Sequence, residues 1–236
     1  MARPVDRGGI SLVVGLGNPG SEYEGSRHNV GFAVADRVAA GLAGREELPA
    51  MGARLVRGRL RGRSVLLLWP LLYMNRSGGP TVEVLRRFDL APERVLAISD
   101  DLDLELGRIR VRRGGSSGGH KGVADLVERL GTEAFHRLRL GIGRPPSGCP
   151  VERYVLEPFC EEERPLADSM VGTAADAARC WLLEGVQSCM NRYNAPSIGE
   201  GGADGSPGGA AAKGATPPEG TPSDRGTAER GASDPE

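Results

Sequence analysis

The stretch from Leu12 to Phe32, LVVGLGNPGSEYEGSRHNVGF, constrains the fold more than any other part of the chain. Leu12-Val13-Val14 is an apolar run that reads as a buried strand. It breaks at Gly15-Leu16-Gly17-Asn18-Pro19-Gly20, a turn that needs glycine dihedrals and stops any helix. A polar loop with Tyr23, Arg27, His28 and Asn29 follows, and a helical pattern begins near Val30. In an open α/β sheet, ligands sit where strands run out into such loops. The sequence therefore puts an amide, Asn18, and an imidazole, His28, at the carboxyl end of its first strand.

The same alternation continues. The first strand is expected at Ser11–Leu16 and its helix at Val30–Leu42, with Phe32, Val34, Val38 and Leu42 at helical spacing. Ala53–Leu60 alternates, as an edge strand or one with a wet face would. Ser64–Trp69 is continuously apolar, as a buried parallel strand would be. Ser77 is placed to cap a helix over Pro80–Phe88. Arg94–Ile98 reads as a buried strand ending in Ser99-Asp100-Asp101. Gly107–Arg113 alternates, with Arg108, Arg110 and Arg112 on one face and Ile109 and Val111 on the other. The glycine loop Gly114–Gly119 and His120-Lys121-Gly122 lead to a helix over Val123–Leu130 and a strand over His136–Ile142. Glu161–Tyr193 is mainly helical, with Met170, Ala174, Ala177, Trp181 and Val186 as a core stripe. Apolar strands alternating with amphipathic helices imply an α/β layer architecture, and the basic alternating strand implies that part of the sheet is antiparallel or exposed.

Composition divides the chain. After Ile198 there is no Val, Leu, Met or aromatic residue. Such a segment cannot bury enough apolar surface to offset its ordering entropy, so 197–236 reads as a disordered Gly/Ala/Pro-rich tail and 1–196 as one domain. The tail holds seven acids and three bases, so the net charge of −1 hides a body with 27 bases against 24 acids. That excess of about +3 is mild, and only its clustering carries meaning. Cys149, Cys160, Cys180 and Cys189 show no C-x-x-C spacing, so no zinc or redox motif is present. The start, MARPVDRGGI, has no apolar signal-peptide core, and no apolar run is long enough to span a bilayer. A reduced, cytoplasmic protein is expected.

Gly15-x-Gly17-x-x-Gly20 matches the dinucleotide fingerprint as a string, but no helix opens within it to face a pyrophosphate. The stronger constellation is His28 with Asn18 on one strand-end loop and Asn75 and Asp100 on others. A histidine–carboxylate pair makes a general base near neutral pH. Asp100 would fix the tautomer, with Asp101 and Asp103 as competitors further from the strand end. The Asp100-Asp101-x-Asp103 cluster suits a hard metal in type but lacks EF-hand spacing, and no G-x-S-x-G elbow is present. Water attack driven by histidine, with amides holding a carbonyl, is the simplest chemistry these residues support. Arg108, Arg110, Arg112 and Arg113, the glycine loop, and Arg137 and Arg139 concentrate positive charge beside amides able to form an anion nest, which suggests phosphates. Aromatic residues are only 4% of the chain, too few for a broad base-stacking platform. Tyr73 and Met74 read as core residues or as the lining of an apolar pocket.

Four motifs, GLGNPGSEYEGSRHNVGF (15–32), YMNRSG (73–78), SDDLDLELGRIRVRRGGSSGGHKG (99–122) and FHRLRLGIGRP (135–145), together resemble the bacterial-type peptidyl-tRNA hydrolase family in order and approximate spacing. The resemblance covers about 1–195. It implies a single α/β domain with a central mixed, largely parallel twisted sheet flanked by helices on both faces. It also implies hydrolysis of the ester joining a peptide to the tRNA 3′ ribose, recycling prematurely released tRNA, by a monomer without metal or other cofactor. By position His28 matches the family's catalytic histidine and Asp100 its partner acid. Asn18 and Asn75 match substrate-positioning asparagines, with Tyr23 and Met74 beside them. Arg112 and Arg139 match residues that clamp the tRNA 5′ phosphate, and Arg110, His120 and Lys121 join the expected substrate-binding set. The chain departs from the pattern at Ser99, where histidine is common, and at Lys121, where asparagine is common. Lysine keeps hydrogen-bond donors and adds charge but loses the acceptor. A non-catalytic RNA-binding module on this scaffold is the alternative; the presence of His28, Asp100, Asn18 and Asn75 together argues against it.

Overall fold

A computed structural model describes residues 9–194; the expected disordered tail, 197–236, lies outside them. The first strand, β1 (Ser11–Gly15), is buried from Leu12 onward. Helix α1 (Val30–Ala40) follows the polar loop. Strands β2 (Ala43–Leu48), β3 (Ala53–Leu60) and β4 (Arg63–Pro70) come next, then α2 (Gly78–Phe88) and β5 (Val95–Asp101). The basic strand is β6 (Ile109–Arg112), followed by α3 (Lys121–Leu130) and β7 (His136–Gly141). Helices α4 (Val151–Leu156), α5 (Arg164–Glu184) and α6 (Val186–Tyr193) complete the order.

The seven strands form one sheet in the order β2-β3-β4-β1-β5-β7-β6. Pairs β4–β1, β1–β5 and β5–β7 are parallel, while β2–β3, β3–β4 and β6–β7 are antiparallel. Five of the seven strands therefore point one way, and the sheet is mixed as expected. The antiparallel basic strand β6 closes one edge. Helices cover both faces. Val13, Leu67 and Ile98 pack with α1 and α5, while Leu12, Val14 and Leu66 pack with α2 and α3. No helix of the described residues is long and apolar enough to cross a membrane.

Two elements lack the patterns that would have announced them. The helix expected to reach Leu42 stops at Ala40, and Ala43–Leu48 forms the edge strand β2. Its residues, AGREEL, are almost all exposed, so no apolar alternation marks it; β3 is an inner strand with one wet face. The six-residue α4 is too short to show a period. Ser77 also behaves differently from expectation. A 3-10 turn over Met74–Arg76 leaves Ser77 with helical dihedrals, and its hydroxyl donates back to Met74 O. The free amide of Gly78 donates instead to Asp125 Oδ2 at 2.6 Å.

The glycines of the opening motif serve packing. A Cβ on Gly31, at the start of α1, would lie well inside contact distance of the carbonyl oxygens of Leu16 and Ile98. Glycine lets α1 sit directly on the backbone just past β1 and at the middle of β5. Gly31→Ala should destabilise the domain by about 3 kcal/mol, because backbone cannot yield as a side chain does. A denaturant midpoint within error of the wild type would contradict this packing.

Candidate active site

The polypeptide leaves β1, β4 and β5 at the same edge of the sheet, and a cleft of about 850 Å³ opens there. Strand β5 runs on through Asp100, so this carboxylate is fixed by sheet hydrogen bonds rather than carried on a loop. It is 5% exposed. Asn18 follows β1, and Asn75 sits in the 3-10 turn after β4. His28 comes from a 3-10 turn, Arg27–Asn29, that feeds α1.

Two histidines converge on one oxygen. His28 Nδ1 lies 2.7 Å from Asp100 Oδ1, and His120 Nε2 lies 3.0 Å from the same atom. Their ring centroids are 4.9 Å apart. The proton positions follow from the partners. His120 caps α3, and its Nδ1 accepts from the amides of Gly122 and Val123 at 3.1 and 3.2 Å. Its Nε2 must then carry the proton and donate to Asp100. Ionised Asp100 only accepts, so His28 Nδ1 donates as well, which leaves the lone pair on His28 Nε2. Burial alone would raise the Asp100 pKa. The attraction and hydrogen bonds of the His120 N–H and then of the His28 N–H outweigh it and hold the carboxyl well below its usual range.

The asparagines are also oriented. Asn18 Oδ1 accepts from Met74 N–H at 2.8 Å, which leaves the Asn18 NH2 group to donate into the cleft. Asn29 holds the Asn18 backbone from both sides: its Oδ1 accepts from Asn18 N–H, and its Nδ2 donates to Asn18 O. Asn29 was not among the expected site residues; its sequence position in a polar loop gave no sign of this brace.

Asn18, Tyr23, His28, Met74, Asn75, Asp100, Arg112, His120, Lys121 and Arg139 all line the cleft. Arg110 does not; it pairs with Arg139 across β6 and β7, half-buried beside the cleft. Met74 is buried in the core as well as lining the cleft, whereas Tyr73 is 62% exposed at its rim, so the core reading fails for Tyr73. Lys121 is exposed at the first position of α3. The neighbouring acids go elsewhere: Asp101 pairs with Arg139 and Asp103 with Arg144. They are thus removed both from competition with Asp100 and from a shared metal site. Among the described residues, the only group with metal-ligand character is His28, Asp100 and His120, whose donor atoms lie within 4.8 Å of one another.

A model of the peptidyl-tRNA hydrolase family matches residues 12–200. A peptidyl-tRNA hydrolase of Rhodopirellula baltica is 43% identical over 188 residues, covering 80% of this chain and 99% of its own length. One from Thermus thermophilus is 45% identical over 183 residues, covering 78% and 95%. The chain belongs to the peptidyl-tRNA hydrolase family. It is accordingly an enzyme, a carboxylic ester hydrolase. The crystal structure of the Acinetobacter baumannii peptidyl-tRNA hydrolase superposes with a TM-score of 0.73 at 39% identity, covering 79% of this chain and 95% of that one.

In this member of the family, one further residue supports the site from behind. Arg27 is buried next to His28. Its Nη1 donates to the carbonyl oxygens of Tyr154, Glu157 and Pro158, and its Nη2 pairs with Glu163 at 2.6 Å. The guanidinium also stacks on the Tyr154 ring, 4.2 Å from its centroid. Arg27 thereby ties the His28 loop to α4, whose Val151, Val155 and Leu156 line the cleft together with Tyr73 and Met74. These partners lie some 130 residues from Arg27 in the chain, so no local pattern could have named them.

Proposed function

We propose that the chain hydrolyses the ester between a peptide and the 3′ ribose of tRNA, with His28 as general base. The convergence of His28 and His120 on one Asp100 oxygen carries this reading, because it leaves His28 Nε2 able to take a proton. Nε2 removes a proton from water as its oxygen attacks the ester carbonyl carbon. The imidazolium so formed is stabilised by Asp100, which stays ionised, and returns the proton to the departing ribose oxygen. The Asn18 NH2 group and Asn75 hold the carbonyl and the peptide backbone. Tyr23, Met74 and the α4 residues accept peptide side chains, and His120 positions Asp100. Arg110, Arg112, Arg139 and Lys121 meet tRNA phosphates. Every one of these groups comes from a single chain, so a monomer suffices, acting in the cytoplasm on peptidyl-tRNA released early and freeing the tRNA for reuse.

The direct test is turnover of an N-blocked aminoacyl-tRNA by the full chain; no release of the blocked amino acid would end this reading. Arg112→Ala should raise KM with little change in kcat and lower the salt slope of binding by about one. An unchanged slope would mean that the phosphates bind elsewhere.

A further inference from the structure

Arg137 stands apart from the other arginines of the basic strands. It is 4% exposed, yet it lines the same cleft as His28 and Asp100. One guanidinium nitrogen, Nη1, donates to Ser116 O in the glycine loop, and the group stacks on the Phe135 ring at 4.7 Å. Its Nε and Nη2 are buried without a hydrogen-bond partner among the described residues, and it forms no ion pair there. A buried guanidinium with two idle donors is a costly arrangement that an oxyanion would relieve. Burial pulls its pKa down; Glu133 opposes this and Arg139 adds to it. The roof over this group is the glycine loop, where Gly115, Gly118 and Gly119 have positive φ values and leave backbone amides unobstructed by side chains.

Register sets the distance to the chemistry. Arg137 lies opposite Ala97 on β5, and Leu140 lies opposite Asp100. Three residues of strand place Arg137 about 10 Å below the level of Asp100, and the arginine side chain spans part of that gap. This is the reach of a nucleotide or two from the scissile ester, not of a whole acceptor arm. Arg139, by contrast, is already paired with Asp101, and Arg112 is exposed at the lip.

Building on the proposed function, we propose that Arg137 is the receptor for a phosphodiester of the substrate's 3′ strand, separate from any contact that Arg112 and Arg139 make to the 5′ phosphate. Its idle Nε and Nη2 form a fork that matches two phosphate oxygens. Through Ser116 O, the same side chain also holds the glycine loop over the strand it grips.

Binding of uncharged nucleic acid tests this without requiring turnover, so it fails or succeeds independently of the ester hydrolysis. The full chain should bind the trinucleotide CCA, and Arg137→Gln should bind it about tenfold more weakly. Adenosine, which has no phosphodiester, should bind both proteins equally. Full-length tRNA should lose the same factor with and without its 5′ phosphate. On the wild-type protein, replacing both phosphodiesters of CCA by uncharged methylphosphonate should cost a similar factor or more, a measurement independent of how well any variant folds. Three results would overturn the proposal: unchanged affinity of the wild type for the methylphosphonate, a loss that vanishes once the 5′ phosphate is removed, or an equal loss for adenosine.

Discussion

His28→Ala should lower kcat for N-blocked aminoacyl-tRNA by about 10³-fold while leaving the affinity for uncharged tRNA nearly unchanged. A positioned general base contributes 10²–10⁴-fold, and no second group among the described residues is placed to replace it. His120 is the nearest imidazole, but both of its nitrogens are engaged, Nδ1 with backbone amides and Nε2 with Asp100. The His28 side chain is only a small part of the cleft wall, which Asn18, Tyr73, Met74 and the α4 residues also form, so its removal should not empty the substrate site. Turnover within tenfold of the wild type would remove His28 as the base. Loss of tRNA affinity in step with activity would make it a binding residue instead.

The second large effect belongs to Asp100. Asp100→Asn should reduce kcat on the order of 10³- to 10⁴-fold, as expected when a carboxylate that sets an imidazole tautomer becomes an amide. Two N–H donors now meet on one carboxylate oxygen. An amide with its NH2 turned toward His28 would force the proton onto Nε2 and abolish the base. An amide turned the other way keeps the tautomer but no longer stabilises the imidazolium. Stability should respond differently. The Asp100 pKa in the folded protein lies below the usual 3.8. Its contribution is therefore fully present above about pH 4 and lost as pH falls through the folded value. Asp100→Asn should thus show a shallower decline in stability below pH 4 than the wild type. A parallel decline in both proteins would mean that Asp100 is not the ionised group the geometry requires.

The site was legible in the sequence wherever strand ends carried it. The apolar runs Leu12–Val14 and Leu66–Leu68 and the run ending at Ile98 fix which loops share an edge, and this brings Asn18, Asn75, Asp100 and His28 together. What stayed hidden depends on long-range packing. His120 is expected to bind substrate, but its place as a helix cap turned onto Asp100 rests on a contact 20 residues away in the chain. Arg27 and Asn29 looked like ordinary loop residues until α4 and Asn18 supplied their partners. Arg137 had the alternation of a solvated strand face. It is buried because the loop containing Ser116 covers it. The edge strand β2 escaped notice because an exposed edge needs no apolar period.

The protonation state of His28 in the active enzyme tests the central geometry most directly. Nitrogen-15 NMR of the histidine-labelled protein, followed across the pH range in which kcat/KM is measured, should find neutral His28 with its proton on Nδ1 and a bare Nε2. Activity should fall as Nε2 gains its proton. A fully active enzyme with the proton on Nε2, or a kcat/KM that does not follow the titration of that nitrogen, would contradict the proposed role of His28.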